Sequence, residues 1–112
     1  MYIMKIKPEY FEKIKSGDKK YEIRLLDEKR QQLKVGDSIL LKKEPDLFDG
    51  LVIRILEIRT FQRFFEMAQK MSLADLGFEG KNAREVEEIC HSIYSPEEEK
   101  KYGVVVFKIE VL

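Results

Sequence analysis

Lys19, Glu22 and Arg24 are the residues of this chain whose types and spacing could do chemistry. With Gly17 they form the pattern G-x-K-x-x-E-x-R inside SGDKKYEIRLL, residues 16–26. A lysine offers ammonium N–H donors, a glutamate accepts protons or N–H bonds, and an arginine presents a rigid fork for a planar acceptor. Opposite charges 4 Å apart attract by about 4 kcal/mol at an effective dielectric near 20. At that separation Lys19 and Glu22 would both stay ionised, which suits electrostatic stabilisation better than a free amine. The same charges also fit a solvated edge after a helix stop, a common fate for such runs.

The elements around these residues must position them. Gly17 can take a positive φ where a helix ends. Beyond it Tyr21, Ile23 and Leu25 alternate with Glu22 and Arg24, the period of a strand. The apolar set then faces a core, Tyr21 included, and the charged pair faces the other way, with Lys19 at its edge. Upstream, YIMKIK reads as a first strand, and Pro8 opens a helix whose stripe is Tyr10, Phe11 and Ile14.

Downstream, 27–34 is a loop or a single helical turn. Val35-Gly36-Asp37 turns into the strand SILLKK, and 44–50 turns again into LVIRILEIRTF, a long central strand. These two are expected to pair as an antiparallel hairpin. Phe61, Phe64, Phe65, Ala68 and Met71 have helical spacing, so a helix is predicted over 61–71. Ser72 starts a short turn, and GFEGK, 77–81, is a loop. Asn82 and Glu85 have capping-box spacing for a helix that buries Val86, Ile89, Cys90 and Ile93. SPEEEKKYG reads as a solvated connection, and VVVFKIEVL as a last buried strand. Five strands with three or four helices make an α+β domain. Curling the sheet into a small, mostly antiparallel barrel with helices outside would bury it most simply.

Composition narrows the function classes. At 112 residues and 44% hydrophobic, the chain is expected to form one domain, 1–112, with one modest core. Apolar runs are too short for a transmembrane helix, and residues 1–7 do not read as a signal peptide. A single cysteine allows no internal disulfide and fits the cytoplasm. Net charge is zero, but residues 1–43 hold 12 Lys/Arg against 7 Asp/Glu, and 44–112 are correspondingly acidic. That balance suits a nucleotide or short strand at one basic side rather than duplex DNA. Paired metal ligands, glycine-rich phosphate loops and serine-hydrolase elbows are absent, so no metal or cofactor is expected. Cys90 and His91, adjacent on a helix, point about 100° apart and do not pair, and Cys90 reads as a structural thiol.

The run SGDKKYEIR, followed by KVGDSILL, resembles the ASCH domain, a family of the PUA-like superfamily whose hallmark is G-x-K-x-x-E-x-R. The chain is similar to its small single-domain prokaryotic type over nearly its whole length, from KIKPEYFEKI to GVVVFKIEVL. The resemblance implies a PUA-like β-barrel with flanking helices and a cleft lined by Gly17, Lys19, Glu22 and Arg24. It also implies an RNA or a modified nucleoside as ligand. One branch of the family cleaves single-stranded RNA. Another removes the acetyl group from acetylated cytidine with a Lys, a Thr and a Glu. Its Lys matches Lys19, and its Glu, counted back from Ile93-Tyr94, matches Glu79. Its Thr falls on Glu22, which lacks the hydroxyl nucleophile that mechanism needs. The expected function is therefore binding of RNA or a nucleoside. The alternative is a hydrolase in which Lys19 stabilises an oxyanion and Glu22 or Glu79 moves the proton.

Overall fold

In the computed structural model, which describes residues 1–112, the strands are β1 (Tyr2–Ile6), β2 (Tyr21–Leu25), β3 (Ser38–Lys43), β4 (Gly50–Phe61) and β5 (Val104–Val111). The helices are α1 (Pro8–Ser16), α2 (Phe64–Lys70), α3 (Ala83–His91) and α4 (Pro96–Tyr102), with a 3₁₀ turn at Arg30–Gln32. The strands lie in one sheet in the order β1-β3-β4-β5-β2. Only β1 and β3 run parallel; β3–β4, β4–β5 and β5–β2 are antiparallel. The α+β class, the hairpin and the largely antiparallel pairing are as the sequence leads one to expect. The sheet curls into a half-barrel whose end strands, β1 and β2, share no backbone ladder.

Alternation explains how the sheet is covered. Strand β5 is apolar at successive positions, and Val104, Val105, Val106 and Phe107 are all fully buried. Val105, Phe107 and Ile109 face inward with Met4, Ile6, Ile39, Leu41, Ile53 and Ile55, and α1 adds Phe11 and Ile14 to this cluster. Val104 and Val106 face outward into a second cluster with Leu25 of β2, Phe64 and Met67 of α2, and Val86 and Cys90 of α3. Burying a side chain as large as Phe64 or Phe107 contributes about 1.5–3 kcal/mol. A register shift between Ile55 and Glu57 bulges β4 and lets the long strand bend, as an extra residue in one strand does.

The chain differs from its sequence reading in three places. The helix predicted over 61–71 starts only at Phe64, because Phe61 still pairs with Val104 in the β4–β5 ladder. The third helix ends at His91, which leaves Ile93 beyond it and exposed while Ile89 is half-buried. SPEEEKKYG is not a connection but helix α4, capped by the reciprocal Ser95–Glu98 box with Pro96 at its first position. It lacks an apolar stripe because its buried face is carried by a carboxylate, Glu99, which is 3% exposed. Glu99 accepts the N–H of Phe64 at 2.7 Å through Oε2 and meets Nε2 of His91 at 2.9 Å through Oε1. Helix α2 has no side-chain cap of its own, so a carboxylate 35 residues away satisfies its first amide.

Candidate functional site

Register fixes where the charged pair points. Glu22 lies opposite Phe107 and Arg24 opposite Val105, so both share the inward face of the half-barrel, while Tyr21, Ile23 and Leu25 pack into the outer cluster. Gly17 ends α1 at φ +88° and returns its N–H to Ile14. The Lys19 N–H then bonds the Lys13 carbonyl at 3.0 Å, which turns the Lys19 side chain under the sheet. The loop from Ser72 to Lys81 closes over it. Asp75 accepts the N–H of Lys20 and Tyr21 through its carbonyl, and Leu76 accepts the Lys19 ammonium at 2.6 Å. Gly77 has φ +93°, and a Cβ there would stand 2.9 Å from Lys19 Cδ, so a side chain at this position would displace the lysine.

Lys19 is 4% and Glu22 5% exposed, which removes the solvated-edge reading. Glu22 is held from several sides. Its Oε2 accepts Arg24 Nη2 at 2.7 Å and Nε at 3.1 Å, and its Oε1 accepts the Ile23 N–H at 3.2 Å and faces Lys19 Nζ at 3.8 Å. Arg24 also donates through Nη2 to the Lys5 carbonyl at 2.8 Å, tying the two end strands of the sheet together through one side chain. Above Lys19 lie two aromatic faces, Tyr10 at 5.4 Å and Phe78 at 5.7 Å from the ammonium to the ring centre.

These groups line a cavity of about 160 Å³ between the ends of the sheet. Lys19, Glu22 and Arg24 form its charged side. Tyr10, Phe78 and Tyr94 supply aromatic walls, Ile89, Cys90 and Ile93 come from α3 and the turn after it, and Lys5, Ile6, Lys7, Ile23 and Glu44 complete the lining.

Burial pushes the Lys19 ammonium from 10.5 down to about 8, against the attraction of Glu22. Burial works to raise the Glu22 carboxyl, yet Arg24 and Lys19 together outweigh it and hold the group below its ordinary value. Burial raises the Cys90 thiol to about 12, so it is no nucleophile near neutral pH, and it raises the Tyr10 phenol to about 12 and Tyr94 as well. The cluster therefore carries one net positive charge near neutral pH. Its carboxylate is spent on positioning two cations whose remaining N–H groups can meet a ligand's oxygen or ring nitrogen. No three His, Cys, Asp or Glu side chains converge as metal ligands would.

The structure thus brings Lys19, Glu22 and Arg24 together and leaves two expected site residues outside. Glu79 is exposed and opens, with Gly17, onto a separate depression. The positive φ values of Gly77 and Gly80 turn the chain so that Phe78 packs inward and its neighbour Glu79 faces out. Gly17 acts by ending α1, not by touching the cavity. Sequence reasoning assigned Tyr10 to a core stripe and gave Phe78 and Tyr94 no role in the site. The available signal was their bulk, since a large aromatic at the rim of a core can serve wall and core together.

Comparison with known proteins agrees with this architecture. The crystal structure of hypothetical protein PH0355 superposes with a TM-score of 0.85 at 36% identity, covering 99% of this chain and 98% of that one. The solution NMR structure of protein PF0455 from Pyrococcus furiosus gives a TM-score of 0.76 at 37% identity, with 99% and 96% coverage. An ASCH domain from Lactobacillus crispatus shares the fold at a TM-score of 0.61 and 18% identity, covering 98% of this chain and 79% of that one. No curated protein matches the sequence. The family model for the ASCH domain matches residues 4–112, and the chain belongs to that family.

Proposed function

We propose that the cavity binds a single nucleobase, modified or not, carried by a nucleoside or by RNA. One observation carries this reading: a buried Lys19–Glu22–Arg24 cluster forms one side of a cavity whose other walls include Tyr10, Phe78 and Tyr94. Flat apolar walls beside fixed donors suit a planar heterocycle with a polar edge. The volume, about 160 Å³, is close to the roughly 150 Å³ of a cavity that admits one benzene ring, enough for one ring system. Lys19 and Arg24 would donate to the base's oxygens or ring nitrogens. Glu22, already accepting three N–H groups, keeps one lone-pair direction near Lys19 for an exocyclic amine.

The test is titration of the protein with a panel of nucleosides, followed by NMR shifts of the Tyr10, Phe78 and Tyr94 rings. Saturable shifts in those rings, lost in Lys19→Met, support the reading. Shifts confined to other parts of the molecule would defeat it.

A hydrolase reading has one observation in its favour. Burial lowers the Lys19 pKa to about 8, which raises the share of neutral amine near pH 7, and a neutral amine can take a proton from water attacking an acyl carbon. Glu22, fixed by Arg24, is poorly suited to that task, and Glu79 is outside the cavity. Release of acetate from acetylated cytidine, abolished by Lys19→Met, is the result that would move the assignment from binding to catalysis.

A further inference from the structure

Away from the cavity, the end of β4, the start of α2 and the end of α4 enclose a broad depression of about 790 Å³. Its charged lining is Arg59, Arg63, Lys70, Lys100 and Lys101 against the single acid Glu66. Glu66 pairs only with Lys70, at 3.5 Å, and no carboxylate lies within ion-pair distance of the other four cations. In a chain of zero net charge this is a concentrated positive field, drawn from the half of the sequence that is acidic in total. Two of the cations are held in place by aromatic faces. The Arg59 guanidinium lies 5.4 Å from the Phe61 ring centre and the Lys101 ammonium 5.0 Å from that of Tyr102. All five basic residues are exposed.

The depression also has a fixed relation to the cavity. Leu26, part of its lining, follows Arg24 by two residues, about 7 Å along an extended chain. The Leu26 N–H bonds the carbonyl of Gly103, another lining residue, so this end of the sheet is shared by both features.

We propose that this depression is a second binding surface, which holds the phosphate backbone of a single-stranded RNA. Four unpaired cations spread over an open trough match a flexible row of phosphates better than one compact anion. Combined with the base-binding reading, on which this step rests, the ligand of the whole molecule is a strand rather than a free nucleoside. One base would enter the cavity while flanking phosphates lie on Arg59, Arg63, Lys100 and Lys101.

The experiment measures anisotropy of a fluorescein-labelled single-stranded RNA over a series of salt concentrations. It compares wild type with Arg59→Gln/Arg63→Gln/Lys100→Gln/Lys101→Gln and with the milder pair Arg63→Gln/Lys101→Gln, each checked for an unchanged melting curve. Removing four phosphate contacts should lower the slope of log K against log salt by about 3, and the pair by about 1.4, with affinity falling at least about tenfold for the fourfold variant. Nucleoside binding in the cavity should not change. Equal slopes and affinities for all three proteins would overturn the proposal. So would groove-dependent binding to vesicles rich in phosphatidylserine with none to RNA, which would assign the surface to a membrane. RNA binding that depends on the groove in a protein that binds no nucleoside would leave the groove standing and remove the cavity reading.

Discussion

At the scale of single residues, the site is a lysine kept in a place that disfavours its charge. Lys19 is buried and its pKa is lowered to about 8, so the folded protein binds fewer protons than the unfolded chain between about pH 8 and 10.5. From this group alone stability rises with pH across that window, by up to about 3 kcal/mol, while the raised Cys90, Tyr10 and Tyr94 groups work in the opposite direction above about pH 9. Chemical denaturation of wild type and Lys19→Met at pH 7.5 and 9.5 should show wild type gaining stability relative to the variant as pH rises, since the opposing groups are common to both. The same variant should bind no nucleoside yet match or exceed wild-type stability near neutral pH, the usual trade between site and fold. Glu22→Gln should behave in the opposite way. It leaves two buried cations without their anion, and a loss of about 3–5 kcal/mol in urea unfolding is expected. How much of this could be read from the sequence is visible in these residues. Spacing in 16–26 gave the helix stop, the strand and the charged pair on one face, because those depend on neighbours in the chain. Burial of that face depends on Phe107 and Val105 across the sheet, more than 80 positions away, and alternation alone does not report it.

At the scale of elements, one polar residue has a role that local pattern hides. Glu99 makes α4 a tie between α2 and α3, which is why a segment without an apolar stripe is nonetheless a helix against the core. Glu99→Ala would strand the buried Phe64 amide and should cost about 3 kcal/mol, while Glu99→Gln, which keeps an acceptor, should cost less; urea denaturation separates the two. The loop over the site was equally hard to foresee. GFEGK is legible as a turn from its glycines, yet the path that turns Phe78 inward and Glu79 outward runs through two positive φ values that spacing does not report. Glu79 sits in the loop over the cavity and faces away from it.

At the scale of the whole molecule, the five strands and the α+β class were legible because alternation and turn residues punctuate the chain every few positions. The order β1-β3-β4-β5-β2 was not, since it places first and second strands at opposite ends. That order also sets local stability. Strand β5 has neighbours on both sides and core on both faces, while β1 has one neighbour. In native-state hydrogen exchange the amides of Val105 and Phe107 should be among the slowest and those of β1 clearly faster. Slower exchange in β1 than in β5 would contradict this account. The tie from Arg24 to the Lys5 carbonyl has one more consequence. Sheet ends with free backbone groups invite another chain to add a strand, the first step toward aggregates. Here the two ends are turned toward one cavity and joined across it by a guanidinium, so the tie that closes the cavity's charged side also stands in the way of an incoming strand.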